Sequence, residues 1–367
     1  MTQIEIRYNN TLIGDIYPIT IDRSWTKTLN GVDVIDFSVS LQQFANWCVE
    51  RGTTMQEIIK PLKLDARIVR DGVPLLGGVL LEVPSYSLSN DKLDTTVSFT
   101  FDGYLNLTAG LRIRPTVKYN ERLDSYLVKI LNAGLTRARN AGADLGITIG
   151  SCAQLSQDQN TYDSYKTIKD ALTEQTDNTT GAGRFDIDFD YKREFRIYKP
   201  MGQDRSDIVI NFPSVKNGLN ATAVSYDAWS GIATHWIGVG AGNGVGSGGA
   251  ALTAETTSAQ DSAGLREFGY YEEVFQDSSI SVLNTLKNKL SGELAKSTKP
   301  TQVPIISLNS NALEFGKTFW IGDRFTFNNT SNGLLSDSGV YRVLEISVKI
   351  DDVGAEDCSL KVEKYGN

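Results

Sequence analysis

Across residues 319–362 apolar side chains recur at every second position, and this period restricts what that part of the chain can fold into. Phe325 and Phe327 alternate with polar neighbours. After an Asn/Ser/Gly turn come Val343, then Ile346, Val348 and Ile350, and after an Asp-Asp-Val-Gly turn the short run Cys-Ser-Leu-Lys-Val. Alternation between turn clusters predicts half-buried antiparallel strands, because successive side chains of a strand point to opposite faces. The slip in phase between Val343 and Ile346 predicts a β-bulge. No reactive group accompanies the pattern, so this part of the chain offers sheet and loop surface rather than chemistry.

The same reading extends through residues 1–107. Ile4, Ile6 and Tyr8 alternate, as do Ile35, Phe37, Val39 and Leu41, and later Val97, Phe99 and Phe101. A helical interruption is predicted over 42–60, where Phe44, Trp47 and Cys48, then Met55, Ile58 and Ile59, recur at helical spacing until Pro61. Asp71-Gly72 between two strand-like runs predicts a hairpin. Residues 108–200 change character. Leu123, Leu127, Ile130 and Leu131 share one face of a helix over 121–135, with Gly134 near its end. Tyr165, Ile168 and Leu172 do the same over 162–177, and 185–198 reads as a hairpin turning at Lys192-Arg193-Glu194. Residues 201–367 return to strands, with one helix over 280–296 striped by Leu283, Leu286, Leu290 and Leu294. The expected fold class is mainly β with an α+β insert: two tube-like β-barrel modules, 1–107 and 201–367, flanking a small α+β domain at 108–200.

Composition removes most enzyme classes. His235 is the only histidine, which leaves no two-histidine metal centre and no spare base, and its apolar strand-like surroundings favour a structural role. Cys48, Cys152 and Cys358 lie far apart, an arrangement suited neither to a disulfide framework nor to zinc. Thirty-six Lys and Arg against 44 Asp and Glu give a formal charge of -8, the wrong sign for gripping phosphates. No apolar run approaches the roughly 18–20 residues of a membrane span, and no secretory signal opens the chain.

Two motifs are weaker than they look. Asp186, Asp188 and Asp190 resemble the start of a calcium loop, but Tyr191 stands where a glycine is needed; period two places all three on the solvent face of a strand. Gly244, Gly246 and Gly249 satisfy a GxGxxG pattern inside a glycine-rich tract with no strong helix after it, so no dinucleotide site is expected. The stretch 238–249 reads instead as a flexible surface loop. Its functional version is a subunit-contact arm carried by Gly238, Gly240, Gly242, Gly244, Gly246 and Gly249, ordering on a neighbouring subunit. No catalytic residue, cofactor or metal ligand is assigned. Trp25, Trp47, Trp229, Trp236 and Trp320 keep a carbohydrate-binding tail or receptor-recognition module open as an alternative, and the many carboxylates keep open an acid-catalysed glycoside hydrolase.

Three passages resemble the tail hub proteins of long-tailed bacteriophages, the baseplate and tail-tip hubs, and the related spike-base proteins of type VI secretion. Residues 64–83 are similar to the early strand, Asp-Gly, strand, Gly-Val hairpin of hub barrels. Residues 227–240, with Gly-Tyr-Tyr-Glu-Glu-Val from Gly269 and the helix after it, resemble the opening of the second barrel. Trp320-Ile-Gly-Asp-Arg-Phe-Thr-Phe, with Tyr341-Arg-Val-Leu-Glu-Ile, resembles the closing Gly-Asp and Arg-Val strands. The resemblance implies a non-enzymatic virion protein, assembled in the host bacterial cytoplasm. Three copies would form a pseudo-sixfold ring at the distal end of the tail, adapting a sixfold tube to a threefold tip, with the α+β unit outside. The implied partners are two further copies of itself, the tail tube or distal tail protein, and tip, spike or fibre proteins. DNA would be transient cargo in an acidic lumen, without membrane insertion. Because the sequence stops at Asn367, host recognition and lysis are expected to reside in other proteins.

Overall fold

A computed structural model describes residues 2–84, 95–114, 121–156, 158–159, 165–177, 184–216, 218–226, 233–241, 252–257, 266, 269–277, 280, 283–297, 304–309, 313, 315–331 and 338–365. The architecture is mainly β with an α+β insert. Both terminal regions contribute to one 14-stranded sheet, whose main path runs from Leu219–Asn220 at one edge to Thr11–Asp15 at the other. The join lies at the long strand Ser338–Ile350. One of its edges pairs first with Arg324–Asn329 and then, from Glu345 to Ile350, with Thr20–Thr28 near the start of the chain. Its other edge pairs with Glu356–Lys364, and the register shifts between Val343 and Glu345 where the phase slip predicts a bulge.

The alternating residues fill a core common to the two ends of the chain. Ile4, Trp25, Phe37 and Phe99 from the first hundred residues share one apolar cluster with Phe325, Val343, Ile346 and Leu360. Ring pairs run through it, with Phe37 stacked on Phe99 at 5.5 Å and Trp25 edge-on to Phe315 at 6.1 Å. Burying each such side chain contributes about 2–3 kcal/mol. The predicted helical interruption is two helices, Leu41–Glu50 and Met55–Ile58. The second opens with a capping box in which Thr54 and Glu57 satisfy each other's backbone N–H groups. Asp71 and Gly72 both have positive φ, as the hairpin between Leu64–Arg70 and Val73–Val79 requires.

The insert has its own core, formed by helices Leu123–Asn140 and Ile168–Asp177 over a three-stranded sheet of Asp186–Phe189, Glu194–Tyr198 and Thr148–Cys152. Two expectations need correcting here. Gly134 does not end its helix, which continues to Asn140. It is a point of close approach, where an added Cβ would lie 2.5 Å from Ile168 Cδ1. Tyr165 is not on the second helix face: it has φ +62° and is exposed, and the helix begins at Ile168.

Candidate functional site

The hairpin Asp186–Phe189/Glu194–Tyr198 is where the insert meets the sheet, and its charges make the contact. Alternation along Asp186–Phe189 puts Ile187 and Phe189 into the insert's core. The opposite face is therefore left with Asp186 and Asp188. The expectation that these aspartates face solvent is wrong, because the large sheet covers that face. Asp186 is fully buried, and Arg342 Nη2, equally buried, donates to it at 2.5 Å. Asp188 accepts from Lys27 Nζ at 2.5 Å, and the same ammonium donates to Asp33 at 2.8 Å. Asp190 is partly covered, accepting from the backbone N–H groups of Lys192 and Glu194 and pairing with Arg196. One turn further on, Arg193 donates to both oxygens of Asp65 at 2.6 and 2.7 Å and lies over the Tyr104 ring. Arg184 pairs with Glu363 on the last strand.

Each terminal region is thus tied to one hairpin by its own buried ion pairs. The densest node surrounds Asp186, which also accepts from Asn30 Nδ2 at 2.9 Å and from the Met201 backbone N–H at 2.8 Å. Arg342 donates in addition to the carbonyls of Met201 at 2.9 Å and Gly322 at 3.2 Å. Next to it, Asp323 accepts from the backbone N–H groups of Gln203 at 2.7 Å and Trp320 at 2.8 Å. The Gly-Asp turn singled out in the sequence is therefore a clasp on the chain leaving the insert. Buried charges in such a node need every partner, since one left alone is far more costly than an intact pair is favourable.

Burial pushes the Asp33 carboxyl up to about 6, against the pull of Lys27, and raises those of Asp65 and Asp323 in the same direction. Lys27 is raised by Asp188 and Asp33 in spite of burial. The sign follows from proton counting. Between about pH 4, where an unfolded aspartate titrates, and about pH 6, folded Asp33 holds a proton that the unfolded chain has released, so acidification stabilises the fold. Glu57 and Asp207, lowered by hydrogen bonds at the surface, act the other way. In urea titrations at about pH 5 and about pH 7.5, Asp33→Asn is therefore expected to remove a gain at the lower pH on the order of 1–3 kcal/mol. An unchanged difference between the two pH values would contradict this assignment.

The other residues singled out in the sequence are dispersed. His235 is buried in the strand His235–Val239, its ring 5.4 Å from that of Tyr270. Trp25 and Trp47 are buried, Trp236 and Trp320 half-buried, and Trp229 lies outside the described residues. Burial raises the thiols of Cys48 and Cys358 to about 11 and about 12, which leaves them protonated at neutral pH. Gly238 is in the strand rather than a loop, under Leu286 and Leu290, and an added Cβ at Gly240 would lie 2.6 Å from the Ile280 carbonyl oxygen. Gly242, Gly244, Gly246 and Gly249 lie outside the described residues. Among the described residues no group of three or more His, Cys, Asp or Glu could hold a metal ion, and no helix is long and apolar enough to cross a membrane. An open cleft of about 740 Å³ between the first strand and the last hairpin is lined by Thr2, Tyr17, Arg70 and Glu356 among others.

No family model matches the sequence, and no curated protein does. Solved structures do match in fold. A 43 kDa tail protein of prophage MuSo2 from Shewanella oneidensis is 13% identical, with a TM-score of 0.65 over 99% of this chain and 98% of that one. A tail protein from Neisseria meningitidis MC58 is 8% identical, with a TM-score of 0.63 over 100% and 97%. Prophage tail protein gp18 from Listeria monocytogenes EGD-e is 13% identical, with a TM-score of 0.54 over 99% and 95%. The fold is that of phage tail proteins.

Proposed function

We propose that this chain is a structural, non-enzymatic tail hub of a virion, which works by assembling with copies of itself. The observation that carries the reading is the shared fold over nearly the whole of both this chain and the Shewanella tail protein. The ionic seam supports it: a component that must hold its shape under load gains from one hairpin bound to both ends of the chain. Asp186, Asp188 and Asp65 are all engaged by cations, so the seam's charges do structural work. In this reading the regions 1–107 and 201–367 each curl into a tube-like module around the 108–200 insert. Three copies close a ring that fits a sixfold tail tube to a threefold tip. The ring leaves a channel for DNA, whose passage an acidic wall eases by repulsion. Tube or distal tail protein binds one side and tip, spike or fibre proteins the other.

Co-expression with tail-tube protein, followed by mass measurement in solution, tests this. The expected result is a complex containing three copies of the chain. A chain that stays monomeric at high concentration and recruits no tube protein would overturn the reading.

A further inference from the structure

Within 233–297 the chain builds a small unit of its own. The strand His235–Val239 is flanked by Thr253–Thr257, antiparallel, and Glu272–Gln276, parallel. The helix Leu283–Ser297 covers one face of this sheet: Leu286 and Leu290 lie over Gly238, and Trp236 Nε1 donates to Ser297 Oγ at 2.9 Å. Alternation turns His235, Ile237 and Val239 toward the face the helix does not cover. Beside them in register stand Glu272 next to His235, and Glu255 and Val274 on either side of Ile237. Val274 is 59% exposed, Tyr270 59% and Tyr271 54%.

The chemistry of this face is specific. It offers two exposed carboxylates, Glu255 and Glu272, the exposed phenol ring of Tyr270, whose hydroxyl donates to Glu272 at 2.8 Å, and an apolar centre at Ile237 and Val274. The His235 side chain is only 10% exposed, with Nε2 3.8 Å from Glu255, while its buried Nδ1 has no hydrogen-bond partner. Carboxylates beside an aromatic face suit guanidinium groups, which pair with the first and stack on the second.

The same chain carries a matching surface on its insert. Arg137 Nη2 donates to the Arg112 carbonyl at 2.5 Å, which brings the end of the helix Leu123–Asn140 beside Arg112 and Arg114. Arg112, Arg114 and Arg139 are exposed, and Asp144 lies 3.7 Å from Arg139. In a chain of net charge -8, Arg112, Arg114 and Arg137 concentrate positive charge there. Glu255 and Glu272 are exposed, so the chain's own arginines do not cover them. We propose that the sheet face of the 233–297 unit opposite its helix docks the arginine patch of a second copy. The contact is head-to-tail and repeats from copy to copy. The inference rests on the self-assembly reading above and names the surfaces that assemble.

Sedimentation of the full chain at about 0.05 M and about 0.3 M salt tests it, since a contact between charged surfaces weakens as screening grows. The variant E255R/E272R is expected to weaken self-association about tenfold or more, R112E/R114E likewise, and a chain carrying all four changes to recover it. All four side chains are exposed, so unfolding midpoints should match the parent and exclude misfolding as the cause. If the parent assembles and E255R/E272R assembles equally well, this contact is wrong while self-assembly stands. If the four-change chain stays as weak as either pair alone, the two surfaces do not meet each other. A parent that remains monomeric at both salt concentrations overturns contact and self-assembly together.

Discussion

Arg342→Ala is expected to destabilise the chain by about 3–5 kcal/mol, the usual result of stripping a buried carboxylate of its counter-charge. Asp186 would remain fully buried, with only Asn30 Nδ2 and the Met201 N–H group to stabilise its charge. The carbonyls of Met201 and Gly322 would lose their donor in the same change. Asp186→Asn/Arg342→Met removes both charges, leaves an amide able to accept from Asn30, and fills the guanidinium's space with an apolar chain. It is therefore expected to lose much less than the two single changes summed, giving a coupling energy of about 2–3 kcal/mol. Urea titration of the four chains measures this. Hydrogen exchange over Asp186–Phe189 and Glu194–Tyr198 should also show the hairpin opening more often in Arg342→Ala, because its anchor to the last strands is lost. Additive losses with unchanged exchange would mean that the pair does not hold the insert to the sheet.

Local rules read much of this fold correctly and failed wherever a distant segment decides. The Asp71-Gly72 hairpin, the bulge after Val343 and the Leu286/Leu290 helix face were legible because each depends on neighbours a few residues away. The fate of Asp186 and Asp188 was not. Period two shows that a strand has two faces; it does not show that a second sheet, built partly from residues 156 positions later, covers the polar one. A signal was present in Arg342 itself, an arginine between Tyr341 and Val343 that are both in the core. A cation interrupting an apolar run implies a buried anion somewhere, although not which one. Gly238 failed for the opposite reason. Inside a glycine-rich tract it reads as loop, whereas the bulk of Leu286 and Leu290 requires a residue without a side chain in the strand beneath them. The arginine patch was equally hidden, since Arg112 and Arg137 are brought together only by the packing of the insert.

Gly202→Ala should prevent folding or destabilise it by more than about 3 kcal/mol, beyond what overpacking ordinarily costs. Gly202 follows the residue that Asp186 and Arg342 hold from both sides, and it has φ +89°, where an L side chain is already strained. An added Cβ would lie 2.0 Å from the Gly322 carbonyl carbon and 2.1 Å from its oxygen. Backbone cannot swing aside as a side chain can, and this backbone is fixed. Arg342 donates to the Gly322 carbonyl, the Gly322 N–H donates to Val343, and Asp323 grips Gln203 and Trp320. Gly142 supplies the control, having φ +82° and no heavy atom within 4 Å of an added Cβ. Gly142→Ala isolates the conformational strain and should cost about 1 kcal/mol. Thermal or urea unfolding of the two variants separates strain from overlap, and equal losses would show that the two glycines do not clasp the insert to the closing turn.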